Sequence, residues 1–252
     1  MAKGKVNFNY NEIPLGYYDD IALQKRGMRS FWHNQKFKRV LDCFSNNQGA
    51  ILDIGCFSGT FLGMIPKRVF SEQLGVDILQ QQIEFANKRY ATKYREFRYI
   101  ESIQGLDLLP KNHFHCISII EVIEHLSEIE IYNLINIANT KLKKGGRIVI
   151  TTPNYLSAWP VLELILNKMS DVKYQEQHIT KFNTYNFKRK LGSIVGDFEN
   201  KYVINFLTTT HSISPYVALI SYKLAEKLSS KIKHNQWHFP FGSLLLAVLT
   251  KK

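Results

Sequence analysis

The sequence predicts an α/β fold in which a mainly parallel sheet carries helices on both faces. Short apolar runs that suit buried parallel strands alternate with longer amphipathic stretches of helical period between residues 49 and 154. The first run, 51–54, leads into a turn that contains Gly55 and Gly59, and a second run ends at Asp77. A glycine turn after one strand and an acid after the next are typical of folds that bind a nucleoside-containing ligand at the carboxyl ends of parallel strands.

The elements are predicted in chain order from periodicity. Residues 26–44 carry apolar side chains at rough helical spacing, so we predict a helix that either packs on the sheet edge or forms a lid with Trp32 or His33 facing the ligand. The helix 127–141 is expected to end at the glycine pair 145–146, with lysines in its last turn. The further predicted helices are 79–94, 184–195 and 215–231. The predicted strands are 51–54, 74–77, 97–101, 114–120, 142–150, 201–207 and 241–249. The fifth of these strands has a Lys-Gly-Gly turn at its start.

Length and composition predict one domain, because 252 residues can bury a full core. The insertion after the fifth strand opens with an apolar helix candidate, 155–162, which would serve as a substrate lid, a dimer surface or a contact with a membrane surface. The predicted parts are an N-terminal helical cap (1–48), a cofactor-binding core (49–154), a substrate-side insertion (155–180) and a C-terminal half (181–252) with a helical insertion at about 211–235.

Cysteine usage and hydropathy indicate the compartment. The three cysteines lack metal-ligand spacing, and the first twelve residues have no apolar core of the kind found in signal peptides. The longest nearly apolar run, 155–166, is too short to span a bilayer. We therefore expect a cytoplasmic protein, with peripheral contact at a membrane surface as a further expectation.

The net charge of +12 is unevenly distributed along the chain. It divides into +4 over residues 1–48, +1 over 49–170 and +7 over 171–252. Since the flanks of such a fold usually build the substrate side of the cleft, their charge favours an anionic substrate or surface. A solvated basic face explains the same charges equally well.

The turn after the first strand resembles motif I of the class I S-adenosylmethionine-dependent methyltransferases, D-x-G-x-G-x-G. Asp53, Gly55 and Gly59 match it, whereas Phe57 stands where the middle glycine usually stands. The dinucleotide fingerprint matches only Gly55 of its three glycines, which disfavours NAD or FAD. Three further segments resemble later motifs of the family in the right order. They are 74–78, 114–126 and 142–150.

The resemblance implies a Rossmann-like sheet of seven strands, mostly parallel, with an antiparallel hairpin at one edge. It also implies that S-adenosylmethionine is the methyl donor and S-adenosylhomocysteine the product, with the adenine near residues 101–104. The donor-binding residues that it implies are Asp53, Gly55, Cys56, Gly59, Asp77, Ile78, Ser102, Ile103 and Glu121.

The sequence Glu-Val-Ile-Glu-His at 121–125 is the most informative polar cluster. If this turn is helical, Glu121, Glu124 and His125 share one face, where two carboxylates and an imidazole suit a divalent cation. The cluster resembles that of two O-methyltransferase groups, the small-RNA 3′-terminal 2′-O-methyltransferases and the ubiquinone-biosynthesis enzymes. In the RNA group such residues and a later histidine bind a metal that holds the acceptor hydroxyls, and the matching positions here are Glu121, Glu124, His125 and His178.

Two other interpretations of this cluster stay open. It would form a metal-free polar site, or it would be structural. Methyl transfer to an alcohol near neutral pH requires a general base or a metal that lowers the pKa of the hydroxyl. His178 and His125 are the candidate bases, because imidazole titrates near neutrality.

Three functions therefore compete at this stage. The leading one is O-methylation of a small or lipid-linked acceptor, such as a sugar, glycolipid or quinone precursor, of anionic character. The second is 2′-O-methylation of RNA, although no separate RNA-binding motif is visible. The third is an inactive donor-binding or scaffold protein, which the intact motif residues argue against.

Overall fold

The computed structural model describes residues 13–44, 49–66, 69–158, 160, 178–231 and 240–252. These residues form a seven-stranded sheet with the order β3-β2-β1-β4-β5-β7-β6. The first five strands are parallel, and β7 pairs antiparallel with both β5 and β6. The mostly parallel sheet with an antiparallel edge is thereby confirmed. The strands are β1 (Ala50–Ile54), β2 (Glu72–Asp77), β3 (Arg95–Tyr99), β4 (Phe114–Ile120), β5 (Leu142–Pro153), β6 (Tyr202–Thr210) and β7 (Leu244–Lys251).

Helices cover both faces of the sheet and cap its ends. The helix α5 begins with a capping box, in which Ser127 accepts from the backbone of Glu130 and the Glu130 side chain accepts in return. In the part of the chain that the structure describes, every helix is too short or too polar to cross a membrane. The helices are α1 (Tyr17–Leu23), α2 (Gly27–Asp42), α3 (Thr60–Met64), α4 (Gln80–Tyr90), α5 (Glu128–Lys141), α6 (Phe187–Val195), α7 (Phe198–Lys201), α8 (Ser214–Val217) and α9 (Tyr222–Lys231), with 3-10 turns at Ile103–Leu108 and Ile123–His125.

Alternation along the strands divides the core between the two faces. On β1, Leu52 and Ile54 join a cluster that includes residues of α5 and α6, whereas Ile51 joins a second cluster with residues of α2, α3 and α4. Both faces of β1 are thus buried, which explains its continuous apolar sequence. The chain order reverses between β1 and β4, and doubly wound folds bind their ligands at such a switch point.

Two sequence predictions about elements need correction, and a third concerns residues that are not all described. The helix α5 ends at Lys141, as the predicted bounds 127–141 state, but the glycine pair 145–146 does not terminate it and lies inside β5 as a bulge with Gly145 at φ 74°. The predicted helix 215–231 is divided into α8 and α9. The helix candidate 155–162 lies partly outside the described residues, and 155–158 form a turn.

Candidate active site

The turn after β1 is built from three residues in the left-handed region. Gly55 and Gly59 both have φ of 77°, and Phe57 has φ of 48°. A Cβ on Gly55 would lie 2.4 Å from Cγ2 of Val122, so only glycine fits between this turn and the one after β4. Phe57 therefore adopts the conformation of the glycine it replaces in the motif, at a steric cost that glycine would avoid.

Asp77 ends β2 and is bonded to the turn beside it. Its Oδ2 accepts from the backbone N–H of Phe57 at 2.8 Å, and its Oδ1 accepts from that of Leu79 at 3.0 Å. Burial raises the pKa of Asp77 above its ordinary value, and the backbone donors partly offset this. Since each carboxylate oxygen has two lone pairs, Asp77 keeps acceptor capacity for the two hydroxyls of a ribose.

Asp53 lies deeper, on β1, and is almost fully buried. The hydroxyl of Ser118 on β4 donates to its Oδ1 at 2.6 Å. Burial raises the pKa of Asp53 to about 7, the Ser118 hydrogen bond opposes this rise, and the nearby Asp77 adds to it. The residue thus titrates close to neutral pH inside the site.

A single cavity of about 800 Å³ connects these groups, which is a volume typical of cofactor and substrate pockets. Two of the predicted donor-binding residues are not among those that line it. Gly59 opens α3, where a Cβ would lie 2.6 Å from Cε1 of Phe97, and Ser102 is exposed before the first 3-10 turn. The predicted residues that line the cavity are Asp53, Gly55, Cys56, Asp77, Ile78, Ile103, Glu121, Glu124, His125 and His178.

The helix α2 lines one side of the cavity with Trp32, His33 and Lys36. Its Val40 packs in the core against the sheet, so both predicted positions of this helix are found, while its action as a lid stays a prediction. The backbone carbonyl of Trp32 is bonded to Nε2 of His211, at 2.9 Å, which fixes α2 to the end of β6. Burial, together with the ammonium of Lys36, lowers the pKa of His33 to about 3. His33 is therefore a neutral imidazole at physiological pH.

Glu121 does not share a helical face with Glu124 and His125, and that geometric expectation is wrong. Its φ is 52°, outside the helical region, and its carboxylate forms an ion pair with Lys36 of α2. Although burial raises the pKa of Glu121, the ammonium of Lys36 holds it below its ordinary value. Glu121 thus connects the turn after β4 to the helix above the cavity.

Glu124, His125 and His178 do come together. One ligand atom from each lies within 4.8 Å of the others, and Glu121 is not a member of this group. The backbone carbonyl of Glu124 accepts from the N–H groups of Ile179 and Thr180, at 2.7 and 3.0 Å, which places His178 beside the 3-10 turn. Both carboxylate oxygens of Glu124 are buried and form no hydrogen bond of ordinary geometry among the described residues, although the hydroxyl of Thr152 lies near enough to stabilise the carboxylate.

The environment of this cluster perturbs the Glu124 carboxyl. Burial and the nearby charge of Glu121 raise its pKa well above the ordinary value, so a proton or a cation would complete the site. The rings of His125 and His178 are 5.1 Å apart. Nδ1 of His178 is 2.6 Å from the hydroxyl of Tyr155, which fixes the orientation of the ring.

Sequence reasoning missed Lys36 and Tyr155. Lys36 lies four residues after Trp32, on the buried side of α2, and a lysine in that position of an amphipathic helix was a usable signal. Tyr155 was assigned only to the start of an apolar insertion. Its contact with His178 spans twenty-three residues and has no local sequence signature.

A family model described as a methyltransferase domain matches residues 28–192, well over half of the chain. A search of curated proteins found no significant match.

Solved structures share the fold at low sequence identity. A SAM-dependent methyltransferase from Archaeoglobus fulgidus is 24% identical with a TM-score of 0.57, and the match covers 94% of this chain and all of that one. Geranyl diphosphate C-methyltransferase from Streptomyces coelicolor A3(2), solved with Mg²⁺, geranyl diphosphate and S-adenosyl-L-homocysteine, is 15% identical with a TM-score of 0.59, covering 98% of this chain and 85% of that one. The methyltransferase domain of a bacterial protein, CtHen1-CN, is 16% identical with a TM-score of 0.55, covering 86% and 97%.

Proposed function

The chain belongs to the class I S-adenosylmethionine-dependent methyltransferases, and on that premise we propose that it methylates a hydroxyl group of a small or lipid-linked acceptor. The observation that carries the proposal is the cluster of Glu124, His125 and His178, which opens into the same cavity as Asp77. A carboxyl and two imidazoles beside a methyl donor are suited to removing a proton from an alcohol. Donors of this kind supply an electrophilic methyl group on a sulfonium.

The residues around the turn after β1 fit such a donor. Gly55 allows the backbone to approach a ligand, and Asp77 has acceptor capacity for ribose hydroxyls. Ile78, Ile100 and Ile103 line the adjacent part of the cavity, where their apolar side chains would pack against a purine ring. We assign donor binding to this half of the cavity and the acceptor to the half beneath α2.

We assign the general base to His178. In the tautomer that carries its proton on Nδ1, the ring donates to the Tyr155 hydroxyl and Nε2 is the basic atom. As the acceptor oxygen attacks, its bond to the methyl carbon forms while the sulfur–carbon bond breaks, and the hydroxyl proton passes to Nε2. Tyr155 positions the ring for that transfer.

The same cluster fits a divalent cation. The two carboxylate oxygens of Glu124 are buried with no hydrogen bond of ordinary geometry among the described residues, and the group also offers two imidazole nitrogens. A mixed set of this kind favours an ion such as Mn²⁺ over Mg²⁺, which prefers oxygen ligands. A bound cation would lower the pKa of the acceptor hydroxyl.

The acceptor class is argued from the lining and the charge. Trp32, Phe37 and Phe61 give the cavity aromatic walls, and its apolar surface suits a ring or an alkyl chain. The net charges of +4 and +7 on the two flanks favour an anionic group on the same molecule. A sugar, glycolipid or quinone precursor with a phosphate or carboxylate combines these features.

The test is a methyl-transfer assay with labelled donor against a panel of hydroxyl, amine and carbon acceptors. We expect transfer to oxygen, and His178→Gln should lower kcat by roughly 100-fold or more with donor affinity unchanged. Asp77→Asn should weaken donor binding in a calorimetric titration. The matched control is His113→Gln, a partly exposed histidine at the opposite end of the sheet, which should change neither.

Each result has a defined consequence. Transfer to nitrogen or carbon but never to oxygen would overturn the proposal, and full activity of His178→Gln would exclude that residue as the base. Calorimetry with Mn²⁺, before and after chelation, separates the two versions of the chemistry. Uptake of one ion that disappears in Glu124→Gln would assign the cluster to a metal.

Methylation of RNA is the second candidate. It is supported by the same carboxylate–imidazole cluster and by the overall charge of +12. An RNA acceptor requires binding to short single strands whose affinity falls steeply with salt concentration. Absence of such binding would remove this candidate and leave the first unaffected.

A further inference from the structure

The segment 213–228 exposes an unusual concentration of apolar side chains. Six of them lie within sixteen residues and are between 36% and 90% exposed, with Ile220 the most exposed. Scattered exposed apolar residues are normal, but a concentration of this kind marks an interaction site. We refer to these six residues as the apolar surface; they are Ile213, Tyr216, Leu219, Ile220, Leu224 and Leu228.

Packing of α9 within the protein does not use this surface. An adjacent side of α9 buries Ala225 and Ser229, and Ser229 accepts from the guanidinium of Arg39 on α2. Leu224 and Leu228 are one turn apart on α9 and share an exposed face, and the exposed Ile220 lies in the turn just before this helix. The contact of α9 with α2 thus leaves the side chains of Leu224 and Leu228 exposed.

Lysines border the apolar face at the same spacing. Lys223, Lys227 and Lys231 follow Ile220, Leu224 and Leu228 by three residues each, and all three lysines are exposed. They therefore form a second stripe beside the first. A short helix with an apolar face next to lysines is typical of segments that lie in the interface of an anionic bilayer.

We propose that the apolar surface, with these three lysines, binds the surface of a membrane that contains anionic phospholipid. The apolar side chains enter the acyl boundary and the ammonium groups contact lipid phosphates. A second copy of the chain is a less suitable occupant, because a two-fold contact through this face would bring the lysine stripes of both copies together. The sequence left the apolar candidate 155–162 open as a substrate lid, a dimer surface or a membrane contact, and part of it lies outside the described residues, so the present proposal concerns α8 and α9 alone.

The position of α9 connects this surface to the cavity. Both α8 and α9 pack against α2, the helix that presents Trp32, His33 and Lys36 to the cavity. Membrane attachment through α9 would hold that side of the protein near the bilayer. A lipid-linked acceptor would then reach the cavity from the membrane, and this consequence rests on the proposed function. The attachment of α9 to the membrane does not depend on the proposed function.

The experiment is co-sedimentation of the full chain with phosphatidylglycerol–phosphatidylcholine vesicles and with pure phosphatidylcholine vesicles. We expect binding to the anionic vesicles that weakens with salt. Ile220→Ser with Leu224→Ser should reduce the partition coefficient on the order of tenfold or more. Lys223→Glu with Lys227→Glu should reduce it by a similar factor at low salt only.

Matched controls come from other exposed positions. Ile129→Ser with Tyr132→Ser removes two exposed apolar side chains from α5, and Lys88→Glu with Lys93→Glu reverses two exposed lysines around α4. Both control pairs should bind vesicles like the parent. Retained binding of S-adenosylhomocysteine by every variant shows that the fold is intact and separates a failure here from a failure of the proposed function.

Three results would overturn the inference. The first is no binding of the parent chain to either vesicle, and the second is equal losses in the α9 and control variants. The third is a pair of observations: the parent chain does not bind vesicles, and it forms a concentration-dependent dimer that Ile220→Ser with Leu224→Ser abolishes. That result would assign the surface to self-association.

Discussion

Replacement of His33 by phenylalanine should make the protein more resistant to acid. The ring of His33 packs against Tyr18 and Phe37, with centroids 5.1 and 6.4 Å away, and phenylalanine keeps these contacts. Nδ1 of His33 is buried without a hydrogen-bond partner among the described residues, so its removal leaves no group unpaired. Burial and the ammonium of Lys36 lower the pKa of the imidazole from 6.5 to about 3, and phenylalanine has no such titration.

The sign and size of the effect follow from proton linkage. In the unfolded chain the pKa is the ordinary 6.5, so below that pH the unfolded state binds a proton that the folded state does not. The free energy of unfolding therefore falls by about 1.4 kcal/mol for each pH unit below 6.5, until the pH approaches the folded pKa of about 3. At about pH 5 the loss from this one residue is roughly 2 kcal/mol, and above about pH 7.5 it is absent.

The assay is urea unfolding of the parent and of His33→Phe between about pH 5 and pH 8. The free energy of unfolding of the variant, relative to the parent, should rise by roughly 2 kcal/mol from the top of this range to the bottom. The difference near pH 8 is an internal control, because His33 is then neutral in both states and only packing contributes. A difference that stays constant across the range would refute the reasoning, since His33 would then titrate alike in the folded and unfolded chains.

Three further changes test other parts of the structure. Asp53→Asn should show the opposite pH dependence, because the folded pKa of Asp53, about 7, lies above the ordinary 3.8. The parent therefore loses stability as the pH rises from 3.8 to about 7. In urea unfolding, the free energy of unfolding of the variant relative to the parent should be up to ~4 kcal/mol higher at about pH 8 than at about pH 4. Gly59→Ala should lower the free energy of unfolding by more than ~2 kcal/mol, because the new Cβ would lie 2.6 Å from Phe97 and the backbone φ is 77°. Gly192→Ala inside α6 should raise the free energy of unfolding by up to ~1 kcal/mol, because a Cβ there meets nothing within 4 Å. Effects of the same sign and size at the two positions would contradict this reasoning. Ser127→Ala removes the capping box of α5 and should cost about 1 kcal/mol by thermal unfolding, and a Ser127→Asp variant that fails to restore the loss would count against a capping role.

The strands were predictable from sequence because burial on both faces leaves them little choice of composition. The predicted runs 51–54, 74–77 and 114–120 all lie within β1, β2 and β4. The predicted bounds 127–141 also match the end of α5 at Lys141, but the role of the glycine pair 145–146 was wrong, because the same pair is found at helix ends and in bulges. The deciding contact is tertiary: the buried ammonium of Lys141 donates to the backbone carbonyls of Asp107 and Leu109, which fixes the last turn of the helix before the glycines are reached.

The candidate site was predictable in its composition and less so in its geometry. Phe57 stands where the motif has a glycine, yet its φ of 48° lies in the left-handed region that glycine favours. No property of phenylalanine predicts this backbone conformation. The bond between the backbone N–H of Phe57 and Asp77 supplies a reason, because it requires that turn whatever the side chain. Side-chain identity thus predicted part of the site, the group of Glu124, His125 and His178, while backbone conformation determines how its residues meet.

The two glutamates of the Glu-Val-Ile-Glu-His sequence illustrate this difference most clearly. Helical spacing would align them, but the left-handed backbone at Glu121 turns its carboxylate toward Lys36. Glu124 follows in a 3-10 turn, and its backbone carbonyl accepts from the chain that carries His178. One short sequence therefore contacts two separate parts of the cavity wall, the helix α2 through Glu121 and the chain that carries His178 through Glu124. A substitution at Glu121 should accordingly act on the position of α2, and one at Glu124 on the chemistry at His178.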